Sequence, residues 1–320
     1  MSIARMIEND LGLEDGYIES LSAYSPTLYK SFSCGGRLIN APFSELKIVQ
    51  DWIAAFIRAE GGPVPPYATA YETDCSVVRN AVAHQTHAHL LALDIRHFFE
   101  SCREDLVKSV FLGMRYRDFT VSGEPELRVS EGEAILLTTL SCYKGGLAMG
   151  APSSPFLANR IMAPVDSRIV SGLSQRMSYT RYSDDICISS DAWIDFDSTI
   201  ALVSDALDSI GLELNEKKTR LLGKGNARRI AGVYITSDGR LTIGPKKKRE
   251  LKRELYDILL GKTFTYAEIV ALIGRINYCR QVDPAFLNSL LAKYASYGLA
   301  RNAGGVMPAL SMLVKVALAK

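Results

Sequence analysis

Hydrophobic residues along this chain recur with two different spacings. Over residues 42–57 they return every three or four positions, which predicts an amphipathic helix, and the same spacing predicts a second one over 196–210. Residues 88–93, 176–181 and 186–190 are instead short runs rich in apolar, aromatic and β-branched residues, as is typical of strands. The chain is therefore predicted to mix helices with short strands.

Glycines, prolines and polar clusters divide the rest of the chain into shorter elements. Strands are predicted at 29–32, at 35–39 after a glycine turn, at 212–214 and at 241–243. Helices are predicted at 134–143, 156–171, 246–256, 264–300 and 307–316, the last as a packed helix rather than a membrane anchor. Residues 113–135, which contain Gly123 and Pro125, are predicted to form a variable loop.

The strands at 176–181 and 186–190 are joined by Tyr182-Ser183-Asp184-Asp185, which predicts a β-hairpin with two acids at its tip. Adjacent carboxylates repel each other beside apolar strands, and a divalent cation is their natural counter-ion. An ordinary Asp-rich turn would carry the same dipeptide, so its neighbours decide between the two interpretations. Asp94, at the end of the apolar run 88–93, could complete a three-carboxylate site for two Mg²⁺ ions.

Four segments, taken together, resemble the catalytic blocks of reverse transcriptases in order and spacing. They are Leu93-Asp94-Ile95 with Phe98-Phe99, residues 150–159 (Gly-Ala-Pro-Ser-Ser-Pro-Phe-Leu-Ala-Asn), Tyr182-Ser183-Asp184-Asp185, and residues 211–219 (Gly-Leu-Glu-Leu-Asn-Glu-Lys-Lys-Thr). The resemblance covers roughly residues 28–245. It implies an α+β right-hand polymerase fold: fingers at 1–89, a palm of antiparallel sheet and helices with part of the fingers at 90–244, and a helical thumb at 245–320.

The resemblance also implies roles for the residues of these blocks. Asp94, Asp184 and Asp185 would be catalytic and hold two Mg²⁺ ions, with Mn²⁺ as a possible substitute and the Ile95 carbonyl as a further ligand. Lys218 would either protonate the leaving pyrophosphate or balance its charge. The implied contacts to the incoming dNTP come from Lys30, Arg37, Phe99, Gly150 and Ala151. Phe99 would exclude a ribonucleotide 2′-OH, which favours DNA as the product.

A narrower resemblance, to bacterial retron reverse transcriptases, rests on Asn80-Ala-Val-Ala-His84. All four histidines cluster near this segment, but no Cys or acid completes a zinc set at the usual spacing. The chain departs from the family pattern at two positions. Met149 stands where the family usually has Gln, and Ala231 stands before Gly232 where retron enzymes usually have Thr. The residues implied to bind RNA are Asn80, His84, Ser153, Ser154, Gly232, Lys246, Lys247, Lys248, Arg249 and Arg253.

The charge of the chain is small in total but uneven in distribution. Residues 217–253 hold thirteen Lys and Arg against two acids, a net +11, and the remainder is net −9 because the total is +2. Such a block indicates a polyanionic partner, the alternative being a solvated surface helix. Its position directly after the four blocks favours nucleic acid.

Composition narrows the class of protein. Apolar residues make up 48% of 320, enough for a large globular core. The six cysteines form no Cys-x-x-Cys pair, which favours neither zinc nor a disulfide framework. The first ten residues do not resemble a signal peptide, and no apolar run is long enough to span a bilayer. We therefore expect a cytoplasmic protein without membrane association.

The function that the retron resemblance implies is RNA-directed synthesis of DNA from dNTPs on a cognate structured non-coding RNA. That RNA would be template and primer, with an internal guanosine 2′-OH starting an RNA-linked single-stranded DNA. An anti-phage role with a separate effector protein is also implied. Two alternatives stay open: another bacterial reverse transcriptase, intron-derived or diversity-generating, and a catalytically silent RNA-binding subunit.

Overall fold

The computed structural model describes residues 1–117, 127–223, 225 and 228–295. The chain divides into two compact units. The first unit consists of residues 1–76 and 89–221, and the second of residues 77–88 and 222–320. These two units do not test the predicted division into fingers, palm and thumb, which remains a prediction.

The first unit begins with two helices and a hairpin. Helices α1 (Ile3–Leu11) and α2 (Tyr17–Tyr24) precede strands β1 (Tyr29–Cys34) and β2 (Arg37–Pro42), which pair antiparallel. Gly35 and Gly36 form the turn at φ of 59° and 77°, a left-handed conformation that glycine adopts without strain. This confirms the predicted hairpin around Gly35-Gly36, and the predicted amphipathic helix follows as α3 (Ser44–Glu60).

A four-stranded sheet lies at the centre of the first unit. Its strands are ordered β10 (Arg220–Gly223), β3 (His89–Asp94), β9 (Asp185–Ser190) and β8 (Ser178–Tyr182). Strands β3 and β8 both pair antiparallel with β9, so the predicted acid-tipped hairpin is confirmed as β8–β9.

Helices pack around this sheet and enclose the main core. They are α5 (Phe98–Ser101), α6 (Glu104–Leu112), α7 (Glu131–Ser141), α8 (Ser154–Gly172) and α9 (Phe196–Asp208). Two small ribbons join them: β4 (Arg115–Tyr116) with β5 (Leu127–Arg128), and β6 (Cys142–Tyr143) with β7 (Gly146–Leu147). The core draws a buried side chain from nearly every element, for example Leu46, Leu91, Phe111, Leu137, Leu157 and Val203.

The second unit has its own core. Helix α4 (Val77–Val82) packs on a three-stranded antiparallel sheet of β11 (Arg228–Ile230), β12 (Val233–Ile235) and β13 (Leu241–Thr242). Helices α10 (Gly244–Leu259), α11 (Tyr266–Val282) and α12 (Pro284–Ala295) follow. Its buried side chains include Ala81, Val233, Leu251, Leu272, Ile276 and Leu287.

Several predicted boundaries are wrong for identifiable reasons. Helix α7 begins at Glu131 rather than 134 because Ser130 and Glu133 form a capping box. It ends before Cys142, since Cys142 pairs with Leu147 in a ribbon. The predicted strand 212–214 is reduced to one bridge, between Leu214 and Ile95. The predicted helix 264–300 is broken at Asp283, and residues 307–316, Gly123 and Pro125 lie outside the described residues.

The fold is α+β, as the sequence predicts, with antiparallel sheets and separate helices. Within the described ranges, no helix combines the length and the apolar character needed to cross a bilayer.

Helix α3 provides a test of how the first unit is held together. Ile53 is fully buried on it, whereas Ile48 is 53% exposed on the same helix. Ile53→Ala should lower the free energy of unfolding by about 2–5 kcal/mol, through lost burial and a residual cavity. The matched Ile48→Ala variant should change it by less than about 0.5 kcal/mol. Urea unfolding followed by circular dichroism measures both, and equal losses would contradict the described packing.

Candidate active site

The three predicted acids meet at one end of the central sheet. Asp94, the last residue of β3, lies directly opposite Asp185, the first residue of β9. The backbone N–H of Ile95 donates to the Asp184 carbonyl at 2.9 Å, so the chain after β3 is tied to the tip of the hairpin. The antiparallel register therefore brings together residues about ninety positions apart in sequence.

Asp94 is held by the segment that follows α9. Its carboxylate is buried, with Oδ2 2.7 Å from the Lys218 ammonium and Oδ1 3.1 Å from the Asn215 side-chain amide nitrogen, which donates to it. The Asn215 backbone N–H also donates to the Asp94 carbonyl at 2.7 Å. A 3-10 turn over Glu216–Lys218 carries the lysine, whose side chain remains half exposed. Lys218, from the fourth predicted block, therefore lies beside Asp94, and its catalytic role stays a prediction.

Burial and neighbouring charges shift the pKa of Asp185. Burial raises its pKa to about 6, with further contributions from Asp184 and Asp94, while Lys218 and Arg37 lower it. Burial and the two neighbouring carboxylates thus disfavour the ionised form of Asp185. Arg37, on the β1–β2 hairpin, makes the smallest of the contributions to this pKa.

A hard divalent cation suits this set of donors, because all three side chains offer carboxylate oxygens and their mutual repulsion favours a cation. In the described part of the chain, however, no group of three or more His, Cys, Asp or Glu side chains is already arranged to hold a metal ion. The Asp94 carboxylate is occupied by Lys218 and Asn215 instead. The residues therefore fit a divalent metal by their chemistry and neighbourhood, with Asp94, Asp184 and Asp185 as its candidate ligands.

A buried ion pair, which the sequence motifs did not predict, lies next to the acid-tipped turn. Arg181, on β8, and Asp166, on α8, are both fully buried, and the guanidinium donates to both carboxylate oxygens at 2.7–3.1 Å. Burial lowers the pKa of Arg181, but the charge and hydrogen bonds of Asp166, together with Tyr179 and Cys102, raise it, and the net shift is upward. Tyr179 donates to the same carboxylate at 2.6 Å. No local pattern distinguished these two residues, because the predicted helix 156–171 also contains Arg160 and Arg168 and the predicted strand 176–181 also contains Arg176.

The segment before α4 supports the same turn. The Arg181 N–H donates to the Tyr67 carbonyl and its carbonyl accepts from Thr69 N–H, both at 2.8 Å, so this short stretch runs beside β8. The Tyr71 hydroxyl donates to the Ser183 hydroxyl at 2.7 Å. Tyr71 and Ser183 both have positive φ, 70° and 60°.

The predicted nucleotide contacts lie in three places. Lys30 and Arg37 are exposed on the β1–β2 hairpin. Gly150 has φ of 115°, and a Cβ there would lie 2.8 Å from the Ile39 side chain, so β2 requires glycine at this position. Ala151 beside it is buried.

The structure also places Phe98, Phe99 and Met149 of the first two blocks. Phe98 and Phe99 are both buried in the core, with ring centroids 5.3 Å apart. They lie on one short helix rather than a strand, where neighbours need not point apart. At Met149, where the family usually has Gln, the backbone carbonyl accepts a hydrogen bond from the Asn40 N–H at 2.8 Å.

The residues predicted to bind RNA differ in exposure. Asn80, His84, Ser153 and Ser154 are buried, and the Ser153 and Ser154 hydroxyls have no hydrogen-bond partner among the described residues. Gly232 forms the β11–β12 turn with Ala231, and its carbonyl accepts from the Tyr278 hydroxyl at 3.1 Å. Their binding to RNA stays a prediction.

The basic residues at the start of α10 are mostly available to solvent. Lys246, Lys247, Arg249 and Arg253 are exposed, and the Lys247 ammonium lies 4.1 Å from the centroid of the Tyr278 ring. Lys248 is different: it is half buried, and its ammonium is 2.7 Å from the Asp283 carboxylate.

Comparison with known proteins gives consistent matches. The family described as reverse transcriptase (RNA-dependent DNA polymerase) matches residues 33–235. The retron Ec86 reverse transcriptase of Escherichia coli is 30% identical over 77% of this chain and 72% of its own. The retron Ec83 reverse transcriptase of Escherichia coli is 27% identical over 81% and 83%, and the retron Mx65 reverse transcriptase of Myxococcus xanthus 28% identical over 86% and 67%.

Solved structures give a weaker match. Telomerase from Candida albicans, in complex with a fragment of telomeric RNA, aligns over 95% of this chain and 66% of its own, with 10% identity and a TM-score of 0.47.

The buried His84 predicts a pH dependence of stability. Burial, with a smaller contribution from His87, lowers its pKa from 6.5 to about 3. Below pH 6.5 the unfolded chain takes up a proton here that the folded protein does not, so stability is lost as pH falls from 6.5 toward 3. His84→Gln should therefore lose less stability than wild type between pH 7 and pH 4.5, by roughly 2–3 kcal/mol.

Urea unfolding at each pH measures this difference. His97→Asn, at an exposed position with φ of 46°, serves as the control and should follow wild type. Parallel acid profiles for His84→Gln and wild type would show that His84 is solvated rather than buried.

Proposed function

The chain belongs to the retron-type reverse transcriptases and is an RNA-directed DNA polymerase with the right-hand polymerase fold of that family, and from this premise we propose that Asp94, Asp184 and Asp185 form its catalytic centre. The observation that carries the proposal is the pairing of Asp94 with Asp185 at the end of the central sheet. Enzymes of this family depend on a divalent metal, and we propose two Mg²⁺ ions, with Mn²⁺ as a substitute. The carbonyl of Ile95, adjoining Asp94, is a further proposed ligand.

The reaction joins a hydroxyl of the growing strand to the α-phosphorus of a dNTP, breaking the bond to the β-phosphate and releasing pyrophosphate. Divalent ions, when bound, stabilise the charge on the attacking and leaving oxygens. Asp94, Asp184 and Asp185 concentrate negative charge where those ions are needed. Lys30 and Arg37, exposed on one hairpin, would bind the triphosphate, and Arg suits this role because its guanidinium donates two parallel hydrogen bonds.

Lys218 has two possible roles in this scheme. Its ammonium is 2.7 Å from Asp94 and half exposed, so it can carry a proton near the reacting groups. It would either protonate the leaving pyrophosphate or balance its charge, and both need the lysine protonated before transfer.

The sugar and base of the nucleotide would meet the first two blocks. Phe99, which is buried but keeps 9% of its surface exposed, would crowd a 2′-OH and select deoxyribonucleotides. Gly150 and Ala151, which lack bulk, would let the nucleotide and its template base lie close to the backbone.

RNA binding is proposed to use charge first and shape second. The exposed Lys246, Lys247, Arg249 and Arg253 would contact phosphates, which makes binding salt-dependent. Gly232, the half-buried Lys248, and Ser153 with Ser154 would lie beside the nucleic acid. Because Asn80 and His84 are buried, their proposed contribution is to hold the segment around α4 in place against RNA.

The narrower function follows from the retron relatives. We propose that a cognate structured non-coding RNA supplies template and primer, that an internal guanosine 2′-OH starts synthesis, and that the product is RNA-linked single-stranded DNA. A role in anti-phage defence in the cytoplasm, together with a separate effector protein, belongs to the same proposal. The retron names of the relatives and the Asn80–His84 pattern support it.

Incorporation of labelled dNTPs on an RNA template with an annealed primer tests the catalytic centre. Asp184→Asn with Asp185→Asn, and Asp94→Asn alone, should each lower the rate at least about a thousandfold, since several kcal/mol of transition-state stabilisation are lost. Asp205→Asn, at an exposed carboxylate on α9, is the matched control and should keep wild-type activity. Unchanged rates in the double variant and in Asp94→Asn would remove these residues from the chemistry.

A second experiment tests self-priming. Protein purified with its cellular RNA is given labelled dNTPs and Mg²⁺ without any added primer. The expected product is DNA that shortens after RNase treatment and is released from RNA by a debranching enzyme that cleaves 2′–5′ linkages. Incorporation only on an added primer–template would keep the polymerase and discard the RNA-primed function, and no incorporation in either assay would favour a silent RNA-binding subunit.

A further inference from the structure

We propose that Arg181 is a positioning residue for this polymerase, which holds the Ser183-Asp184 turn so that the paired aspartates face Asp94. The proposal rests on the proposed catalytic centre and adds a residue that the four sequence blocks do not contain. Arg181 stands one position before Tyr182, on β8, and has no exposed surface. Its guanidinium donates to Asp166, to Asn159 and to the Ser183 carbonyl, so we expect any effect on the reaction to pass through the turn.

Every nitrogen of the buried guanidinium has a defined acceptor. Nε and Nη2 donate to the two oxygens of Asp166 at 2.9 and 2.7 Å. Nη1 donates to the Asn159 side-chain oxygen and to the Ser183 carbonyl, both at 3.2 Å. The planar fork of arginine makes this set possible, because a lysine ammonium cannot span a carboxylate and a carbonyl in the same geometry.

The turn needs this support. Ser183 has φ of 60°, a left-handed conformation that non-glycine residues rarely adopt without help from their surroundings. Two bonds hold it: Arg181 binds its carbonyl, and the Tyr71 hydroxyl donates to its hydroxyl at 2.7 Å. The next carbonyl, that of Asp184, accepts from Ile95 N–H at 2.9 Å. The turn is therefore tied on one side to α8 and on the other to the residue after Asp94.

Stability alone is a weak reason for a fold to keep a buried ion pair. The desolvation of two charges offsets much of their attraction, and charge-free replacements that fill the same space often fold as well. What such replacements lack is a donor to the Ser183 carbonyl. The hydrogen bond from Arg181 to the Ser183 carbonyl therefore explains the buried pair better than its contribution to stability does.

The test separates positioning from folding with three variants. Arg181→Met combined with Asp166→Asn removes both charges and keeps an acceptor for the Tyr179 hydroxyl, so the fold should survive. Arg181→Lys keeps the charge but loses the fork. Tyr71→Phe removes one hydroxyl and needs no buried charge to be replaced. Arg168→Met, at an exposed arginine of α8, is the control.

Thermal unfolding, steady-state kinetics and Mn²⁺ titration by electron paramagnetic resonance are measured on each. We expect the double variant and Arg181→Lys to melt near wild type, with kcat about 10- to 100-fold lower, because small misplacements of reacting groups carry that cost. The KM for dNTP should be unchanged, and Mn²⁺ should bind several-fold more weakly. Tyr71→Phe should show the same pattern, smaller in size, and Arg168→Met should match wild type.

A folded double variant with wild-type kcat and Mn²⁺ affinity would overturn the proposal and leave Arg181 as a fold residue. If that variant does not fold, Tyr71→Phe decides, and wild-type kcat and Mn²⁺ binding there would also overturn it. Absence of incorporation by the wild-type protein would contradict the proposed function instead, and the Mn²⁺ titration, which needs no turnover, would still test the positioning of the turn.

Discussion

The register between β3 and β9 is the constraint on which the rest of the site depends. It places Asp94 opposite Asp185, and Leu91 and Leu93 pair with Ile188 and Ile186, all of them buried. A shift of the register by one residue would turn each side chain to the other face of the sheet and separate the carboxylates. The packing of these apolar side chains thus fixes the geometry of the charged cluster.

Charges around that cluster are balanced in two different ways. At the sheet end, negative side chains accumulate and are met by partly exposed cations, Lys218 on Asp94 and Arg37 acting on Asp185. Beneath the turn, one cation and one anion are sealed together without exposure, as Arg181 and Asp166. The exposed cations are open to solvent, whereas the sealed pair is fixed by its hydrogen bonds.

The second unit separates a buried polar segment from an exposed basic one. Residues 77–88 pack as α4 and its following turn against β11–β13, with Asn80 and His84 inside. The first turns of α10 instead present Lys246, Lys247 and Arg249 to solvent, while Lys248 is drawn inward by Asp283. The basic residues of α10 therefore lie on a folded helix. Such a helix can combine electrostatic attraction with recognition of shape.

The sequence alone predicts the acid-tipped hairpin, the strand ending in Asp94, the β1–β2 hairpin with its glycine turn, most of the helices and the family. These features depend on hydrophobic spacing and turn-forming residues, which are properties of residues close together in the chain. Only the tertiary structure decided that Lys218 and Asn215 bind Asp94, that Arg181 and Asp166 share a buried site under the turn, and that Gly150 is required by the side chain of Ile39. These contacts join residues between 15 and 124 positions apart. Local patterns carry no information about such distant pairs, and burial, which made His84 an interior residue and both Phe98 and Phe99 core residues, is a property of the whole packed chain.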